Sequence, residues 1–214
     1  MNRSKQILAG LAFLLAFTAF TQPSFAKDPL PTNMRMRYGG SFVLSLPTGY
    51  CRPSVAYVND NKESHGFISQ NLGQILEVSV LRYWSGDYKN KNSINGKFAL
   101  LSEGTLIPAV SFGAVDINTQ TGDDRIYYAA ASKSFEDFGL TIHVGIYKDP
   151  VDKEKVIYYG AEKVILPLLS VAAEHVNDKF TYGIKITPYP GVSLDVSQRD
   201  GKEEIFNLIY SRSY

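Results

Sequence analysis

The only cysteine of this 214-residue chain, Cys51, lies in "SLPTGYCRPS", where a predicted strand ends in a turn. A cysteine acts as a nucleophile when a histidine or a positive charge favours its thiolate. Arg52 is adjacent, and His65 and His143 are the candidate partners in a cysteine-dependent enzyme. Two other interpretations stand beside this one, a disulfide to another protein and a buried, inert thiol. The inert thiol is favoured, because free cysteine is among the most buried residue types.

No other pattern of reactive residues specifies a reaction. The histidines at positions 65, 143 and 175 are 78 and 32 residues apart, which matches no compact metal-ligand spacing. The sequence has no HExxH, no Gly-x-Ser-x-Gly and no phosphate-binding glycine motif. Three acidic pairs stand at turn signals and are expected to be solvated: Asp123-Asp124, Glu136-Asp137 and Glu203-Glu204. We therefore predict no metal and no cofactor, and a protein without catalytic activity is favoured over an enzyme.

Residues 1–26 have the pattern of a cleaved secretory signal. They begin with Arg3 and Lys5, continue with an uncharged apolar run of 14 residues, and end in "SFA", with small residues where a signal peptidase reads. The run is shorter than the roughly 20 residues of a membrane-spanning helix. We expect cleavage after Ala26 and a mature protein that is soluble in the periplasm or secreted, with no transmembrane anchor.

The mature chain is almost neutral. Of the 22 basic residues two lie in the leader, and none of the 21 acidic residues do, so 20 basic residues face 21 acidic ones. A near-neutral chain without a basic run argues against a nucleic-acid partner and against adhesion to an anionic membrane.

The elements that must position these residues are mostly strands. Residues 27–40 are expected to be an irregular lead-in to a main domain at residues 41–175. Period-two alternation predicts strands at "SFVLSLP", "PSVAYVND" and "ILEVSVLRYW". The segments "RIYYAAASKSF" and "GLTIHVGIYKD" are typical of a hairpin around "EDFG", with His143 on the face opposite to Ile142 and Val144.

A long helix is predicted in the second half of the main domain. Asp149 is a suitable N-cap, Pro150 suits the first helical position, and acidic residues follow in the first turn. Apolar residues then recur at helical spacing, at Ile157, Ala161, Val164, Leu168 and Ala172. Pro167 is expected to kink or break this helix.

The C-terminal residues 176–214 return to strand patterns. "FTYGIKITPY", "GVSLDVS" and "EEIFNLIYS" alternate, with tight-turn chemistry at "PG" and "RDG" between them. These strands extend the main domain or form a small appendage. The predicted fold class is thus α+β, an antiparallel sheet with one long helix packed on it and extra C-terminal strands.

The order of these elements resembles a known family. The opening "SFVLSLPTGY", the antiparallel strands and the late helix after "LTIHVGIYKD" are similar, over about residues 41–175, to the fold of PsbP, an extrinsic photosystem II protein. The resemblance implies an α/β/α sandwich around an antiparallel sheet. Members are mostly accessory or binding proteins, and bacterial ones include periplasmic immunity proteins, so the resemblance implies such a role and assigns no site residue.

Three classes of function remain from the sequence. The first is a non-catalytic binding, inhibitor or immunity protein whose partner is another envelope or secreted protein. The second is an envelope enzyme that uses Cys51 with a histidine. The third is an envelope-assembly component that pairs with a partner through its C-terminal strands.

The candidate contact site for a protein partner is the polar loop "WSGDYKNKNSING". It carries aromatic and cationic side chains, which are typical of protein interfaces: Trp84, Tyr88, Lys89 and Lys91. The alternative is a solvated loop in which Trp84 only ends the preceding strand and packs inward.

Overall fold

Twelve antiparallel strands form a closed barrel in a computed structural model of this chain. The structure describes residues 48–211 except 52, 61–62, 74, 122–124, 149–153 and 177–178. The strands are β1 (Ser54–Asp60), β2 (Ser64–Leu72), β3 (Leu76–Tyr83), β4 (Asn92–Leu101), β5 (Ala109–Val115), β6 (Ile126–Phe135), β7 (Leu140–Lys148), β8 (Lys155–Leu166), β9 (Leu169–Val176), β10 (Lys179–Tyr189), β11 (Val192–Arg199) and β12 (Glu203–Ser211).

Each strand pairs with its neighbours in sequence, and β1 pairs with β12, which closes the ring. The register of the closing pair runs from Ser54 opposite Ser211 to Asp60 opposite Ile205. We call the end of the barrel where β1 begins and β12 ends the terminal end, and the opposite end the loop end. The two longest connections, residues 84–91 and 116–125, lie at the loop end.

Alternate residues of each strand point to opposite faces of the barrel wall. On β10, Thr181 and Lys185 face inward and are buried, whereas Tyr182, Ile184 and Ile186 face outward and are exposed. Exposed apolar side chains recur on the outer face of β2 to β12, among them Ile68, Val80, Phe98, Phe112, Tyr127, Val144, Tyr159, Val171, Ile184, Val196 and Phe206. The outer side of this wall is mostly apolar, and the buried side chains of the inner side are mostly polar, apart from an apolar cluster on β12, β1, β2 and β3.

Tight turns join the last three strands. Asp200 and Gly201 both have positive φ, 52° and 66°, as the two central residues of a type I′ turn require. Gly191, with φ 82°, follows Pro190 in the turn between β10 and β11. The three strands that the sequence predicts here are therefore present, as β10, β11 and β12, and they are part of the barrel wall.

The predicted α+β class is wrong, because the described chain is all β. Its one helical element is the single 3-10 turn Glu136–Phe138, and no helix in this part of the chain is long and apolar enough to cross a membrane. The PsbP-like α/β/α sandwich is wrong for the same reason. The predicted leader, the lead-in and the strand "SFVLSLP" lie outside the described residues.

The predicted long helix is instead the hairpin of β8 and β9. A spacing of four residues places side chains on one face of a strand as well as of a helix, so Ile157 and Ala161 lie together on the outer face. Between them Tyr158 and Gly160 are buried on the inner face, which is period-two alternation. Pro167 lies in the two-residue turn between the strands, and the predicted cap at residues 149–150 lies outside the described residues.

Candidate functional site

The inner face of the barrel wall carries the buried charged side chains of the strands. Its buried charged side chains come from six strands: Glu77, Lys97, Glu162, Glu174, Lys185 and Asp195. Arg199 and Glu203, with nitrogen and oxygen 3.7 Å apart, lie at the loop end of the same face. Among the described strand residues, the buried and half-buried charges of the inner face are thus five carboxylates and three cations, the carboxylates being Glu77, Glu162, Glu174, Asp195 and Glu203.

Two buried ion pairs cross the inner face. Lys97 Nζ lies 3.1 Å from Glu77 Oε2, and these residues are directly opposite each other on β4 and β3. Lys185 Nζ donates to Glu162 Oε1 at 2.6 Å, and Asp195 is directly opposite Lys185 on β11. Buried charges of this kind are stable only when they are paired or hydrogen-bonded, so both pairs hold the inner face in one arrangement.

Aromatic rings fill the inner face toward the loop end. The ring of Tyr128 occupies the space that a side chain would need at Gly113, its direct neighbour on β5. Tyr158 lies in the same way over Gly145 on β7. A second buried apolar cluster contains Ala56, Val58, Phe67, Leu81, Tyr83, Ile205 and Ile209. Ser132 and Asp195 are also 0% exposed, so burial on the inner face extends to polar side chains.

Residues 48–51, which we call the inner segment, lie inside the lumen near the terminal end. The backbone N–H of Gly49 donates to Ser132 Oγ at 2.6 Å, and Ser111 Oγ donates to the Thr48 carbonyl at 3.0 Å. Lys97 Nζ donates to the carbonyl of Tyr50. Asn71 Nδ2, on β2, donates to the Cys51 carbonyl at 3.0 Å. The segment therefore spans from β2 to β6 and is held by side chains of the wall.

The Tyr50 side chain adds a second set of contacts. Its hydroxyl donates to Glu103 Oε2 at 2.6 Å and shares a hydrogen bond with Ser134 Oγ at 2.8 Å. Glu103, in the connection between β4 and β5, also accepts from the Ser134 N–H at 2.7 Å and from Lys133 Nζ at 3.0 Å. Burial raises the pKa of the Glu103 carboxyl, but these hydrogen bonds outweigh burial and hold the pKa below its ordinary value.

Gly49 is required where the inner segment meets the wall. A Cβ at this position would clash with the carbonyl oxygen of Ala109, the first residue of β5, and would lie 3.0 Å from the Ser132 nitrogen. Both obstacles are backbone atoms, which cannot rotate away. A larger residue at position 49 must therefore displace the inner segment.

The predicted reactive residues are placed in the lumen but are not brought together as a catalytic pair. Cys51 is partly buried, and burial raises the pKa of its thiol, with Lys97 lowering it and Glu77 raising it. His143 shares a hydrogen bond of 2.8 Å with Ser132 Oγ. His65 lies on β2 against Tyr83, with its Nδ1 3.9 Å from Glu63. Among the described residues no hydrogen bond joins Cys51 to either histidine.

The predicted binding loop is at the loop end. Trp84 stacks on Tyr57 with ring centroids 5.6 Å apart, and it remains partly exposed. Tyr88 packs against Tyr83, and Lys91 Nζ lies 5.6 Å from the Tyr88 ring centroid. Lys89 is exposed in the same loop. A protein partner at this loop stays a prediction.

The buried ion pairs were missed in the sequence, although a signal for them exists. Lys185 stands between Ile184 and Ile186, and Glu162 follows Ala161 within an apolar run. A charged residue at alternate positions of an apolar strand indicates an inward-facing charge when the outer face is the apolar one.

The barrel is similar to solved porins. The KdgM porin matches with a TM-score of 0.54 and 9% identity, over 75% of this chain and 99% of the porin. The KdgM porin in complex with disordered oligogalacturonate matches with a TM-score of 0.53 and 9% identity, over 76% and 98%. The NanC porin matches with a TM-score of 0.50 and 10% identity, over 76% and 100%. Comparison with protein families and with curated proteins gives no match.

This likeness shows the fold and corrects the functional predictions. A closed barrel of the porin type does not fit a PsbP-like binding, inhibitor or immunity protein, a cysteine-dependent enzyme or an assembly component that pairs through free strands. The prediction of a soluble periplasmic or secreted protein is also wrong. That prediction failed because it took the apolar face of each strand to be buried, whereas the apolar face lies on the outside of the barrel.

Proposed function

We propose that this protein is an outer-membrane barrel that forms a gated channel for small hydrophilic solutes. The observation that carries the proposal is the composition of the closed wall, whose exposed outer side is mostly apolar and whose buried inner side is mostly polar. In a bilayer every backbone group of a strand needs a partner, and a closed barrel satisfies this condition. The predicted export signal supports delivery of the chain to the envelope.

The lengths of the strands also support placement of the barrel in a membrane. The strands are 7 to 12 residues long, and a tilted strand needs about 9 to 11 residues to cross the hydrocarbon core. The exposed side chains at mid-strand, such as Val144 on β7 and Ile184 on β10, are apolar. Such an outer band is what a transmembrane barrel presents to lipid.

The inner segment is the proposed gate. It enters from the terminal end and is held by polar contacts to Ser111, Ser132, Lys97 and Asn71. Hydrogen bonds to side chains can be exchanged for hydrogen bonds to water, so the segment is able to leave without breaking the wall. Its departure would expose the polar side chains of the inner face near the terminal end to water, which is the proposed first step of opening.

The charges of the inner face favour cations. Of its buried and half-buried charges on the described strand residues, five are carboxylates and three are cations, and acidic groups in a narrow path raise the local concentration of cations. The related fold of KdgM was solved with oligogalacturonate, an oligomer of a sugar acid. On this chain we infer a preference for cationic and neutral solutes over such acids.

Conductance across planar bilayers tests the proposal. The mature chain should show brief, rare openings, and Gly49→Val should hold the channel open, because the side chain has no room in the closed arrangement. Gly104→Val is the matched control, since a Cβ there meets only the Ile107 Cβ at 3.8 Å. A salt gradient across the bilayer should give a reversal potential of the cation-selective sign. The absence of conductance from a folded Gly49→Val barrel would reject a channel function.

A further inference from the structure

Side chains of the barrel wall bind main-chain atoms of the inner segment. The bonds come from four different strands and pair Ser111 with the Thr48 carbonyl, Ser132 with the Gly49 N–H, Lys97 with the Tyr50 carbonyl and Asn71 with the Cys51 carbonyl. Carbonyl groups occur in every residue, and N–H groups in every residue except proline. The same wall groups can therefore bind another extended peptide as well as residues 48–51.

Asn71 offers more hydrogen bonding than the inner segment uses. Its Nδ2 donates to the Cys51 carbonyl at 3.0 Å, whereas its Oδ1 is buried and accepts no hydrogen bond from the described residues. A side-chain amide has both donors and an acceptor, so it can bind the carbonyl and the N–H of a peptide together. A buried acceptor without a donor is unfavourable, so this site favours a ligand that supplies an N–H.

Two positions of the inner segment show which side chains the site accepts. At Gly49 there is no room for a side chain, because a Cβ would clash with the Ala109 carbonyl oxygen. At the next position the Tyr50 hydroxyl donates to Glu103 at 2.6 Å and shares a hydrogen bond with Ser134 at 2.8 Å. The site therefore selects glycine followed by an aromatic residue with a hydroxyl group.

We propose that the site that holds the inner segment is a peptide site, and that the solutes of the channel are short peptides in which glycine precedes tyrosine. In the closed state the inner segment occupies the place of the solute. This inference rests on the proposed channel function and narrows its solutes from small hydrophilic molecules to peptides.

Fluorescence anisotropy tests the peptide site. The probe is the capped tetrapeptide TGYS with a fluorescein label, which has the sequence of residues 48–50 followed by serine in place of Cys51. The receptor is the folded Gly49→Val/Tyr50→Ala double variant in detergent, because its own segment has lost both the glycine and the hydroxyl that seat it. TGYS should bind this variant, and the native chain should bind it more weakly because its site is occupied.

Two altered peptides test the selection of side chains. TVYS should bind at least about tenfold more weakly than TGYS, because valine meets the backbone of Ala109. TGFS should bind about tenfold more weakly, because it lacks the hydroxyl that donates to Glu103. Equal binding of TGYS and TVYS, or no binding of TGYS, would overturn the peptide site.

A pair of wall variants tests the location of the site. In the same double-variant background, Asn71→Ala should weaken binding of TGYS about fivefold, because it removes one hydrogen bond to the peptide. Gln70→Ala is the matched control, since the adjacent residue is exposed on the outer face and should leave the affinity unchanged. Equal effects of these two variants would also overturn the proposed site.

Conductance separates this inference from the channel function. TGYS should reduce the current through the double variant, and TVYS at the same concentration should not. Binding of TGYS without a reduced current would overturn the assignment of peptides as solutes. A conducting variant that binds no TGYS would overturn the peptide site and retain the channel, whereas peptide binding by a folded variant without conductance would reject the channel and retain the peptide site.

Discussion

The inner and outer faces of the barrel wall are built from the same strands but have opposite chemistry. On β10, Ile184 faces outward and is exposed, and the next residue, Lys185, faces inward and is 1% exposed. In a water-soluble sheet the buried residue would be apolar and the exposed one charged. The side chains of Ile184 and Lys185 therefore indicate that the environments on the two sides of the wall differ. Substitutions at these two positions test that difference directly.

The largest expected effect is on the inner face. Lys185→Met leaves Glu162 buried without its 2.6 Å partner, and such a change destabilises a protein by about 3 to 5 kcal/mol. The double variant with Glu162→Gln should recover part of this loss, since the Glu162 carboxylate is then removed while Asp195, directly opposite position 185, remains. Urea unfolding in vesicles measures both variants, and a loss below about 1 kcal/mol would indicate that Lys185 reaches water.

The next effect is on the outer face, one residue away. Ile184→Lys places a charge on the surface that we assign to lipid, and at mid-bilayer this change costs about 2 to 4 kcal/mol. Gln120→Lys, at the exposed loop end, should change the unfolding free energy by no more than about 0.5 kcal/mol. Equal, small effects of the two lysines would place the outer face in water.

A smaller effect is expected where the inner face holds the inner segment. Tyr50→Phe removes the hydrogen bonds to Glu103 at 2.6 Å and to Ser134 at 2.8 Å. One hydrogen bond to a charged group contributes about 1.5 to 3 kcal/mol, so the open fraction in conductance records should rise roughly tenfold or more. An unchanged open fraction would show that the hydroxyl does not hold the gate.

The smallest effect is the response to acid. The pKa of Glu103 lies below its ordinary value of 4.5 in the folded chain. Above pH 4.5 Glu103 is therefore ionised, and its ionised form stabilises the bound position of the inner segment. This stabilisation is lost as the pH falls through the lowered pKa. Channel opening should therefore increase below pH 4.5, and Glu103→Gln should abolish that increase while Lys133 and Tyr50 remain. An acid response that persists in Glu103→Gln would assign it to another group.

The strands were largely predictable, and the orientation of their faces was not. Alternation located β3, the β6 and β7 hairpin and the three C-terminal strands, because side-chain direction in a strand has a strict period of two. It also placed His143 opposite Ile142 and Val144, as the structure shows. Alternation contains no information about which face meets water, so the apolar face was taken for a core.

The candidate site was hidden for the same reason. Glu162 and Lys185 belong to no sequence motif, and their pairing depends on a register between strands that the sequence does not display. Cys51 was recognised as unusual, but its significance lies in its backbone, whose carbonyl accepts from Asn71. The helix error arose because Ile157 and Ala161 satisfy both periods.

The pairing of β1 with β12 has a consequence for how the chain folds. Ser54 can meet Ser211 only after all twelve strands exist, so the last contact to form joins residues that are far apart in sequence, and such topologies fold slowly. Until then two strand edges are open and prone to pair with other chains. A nascent barrel lacking β12 would therefore be an aggregation hazard, and its survival in the envelope would depend on chaperones that cover those edges.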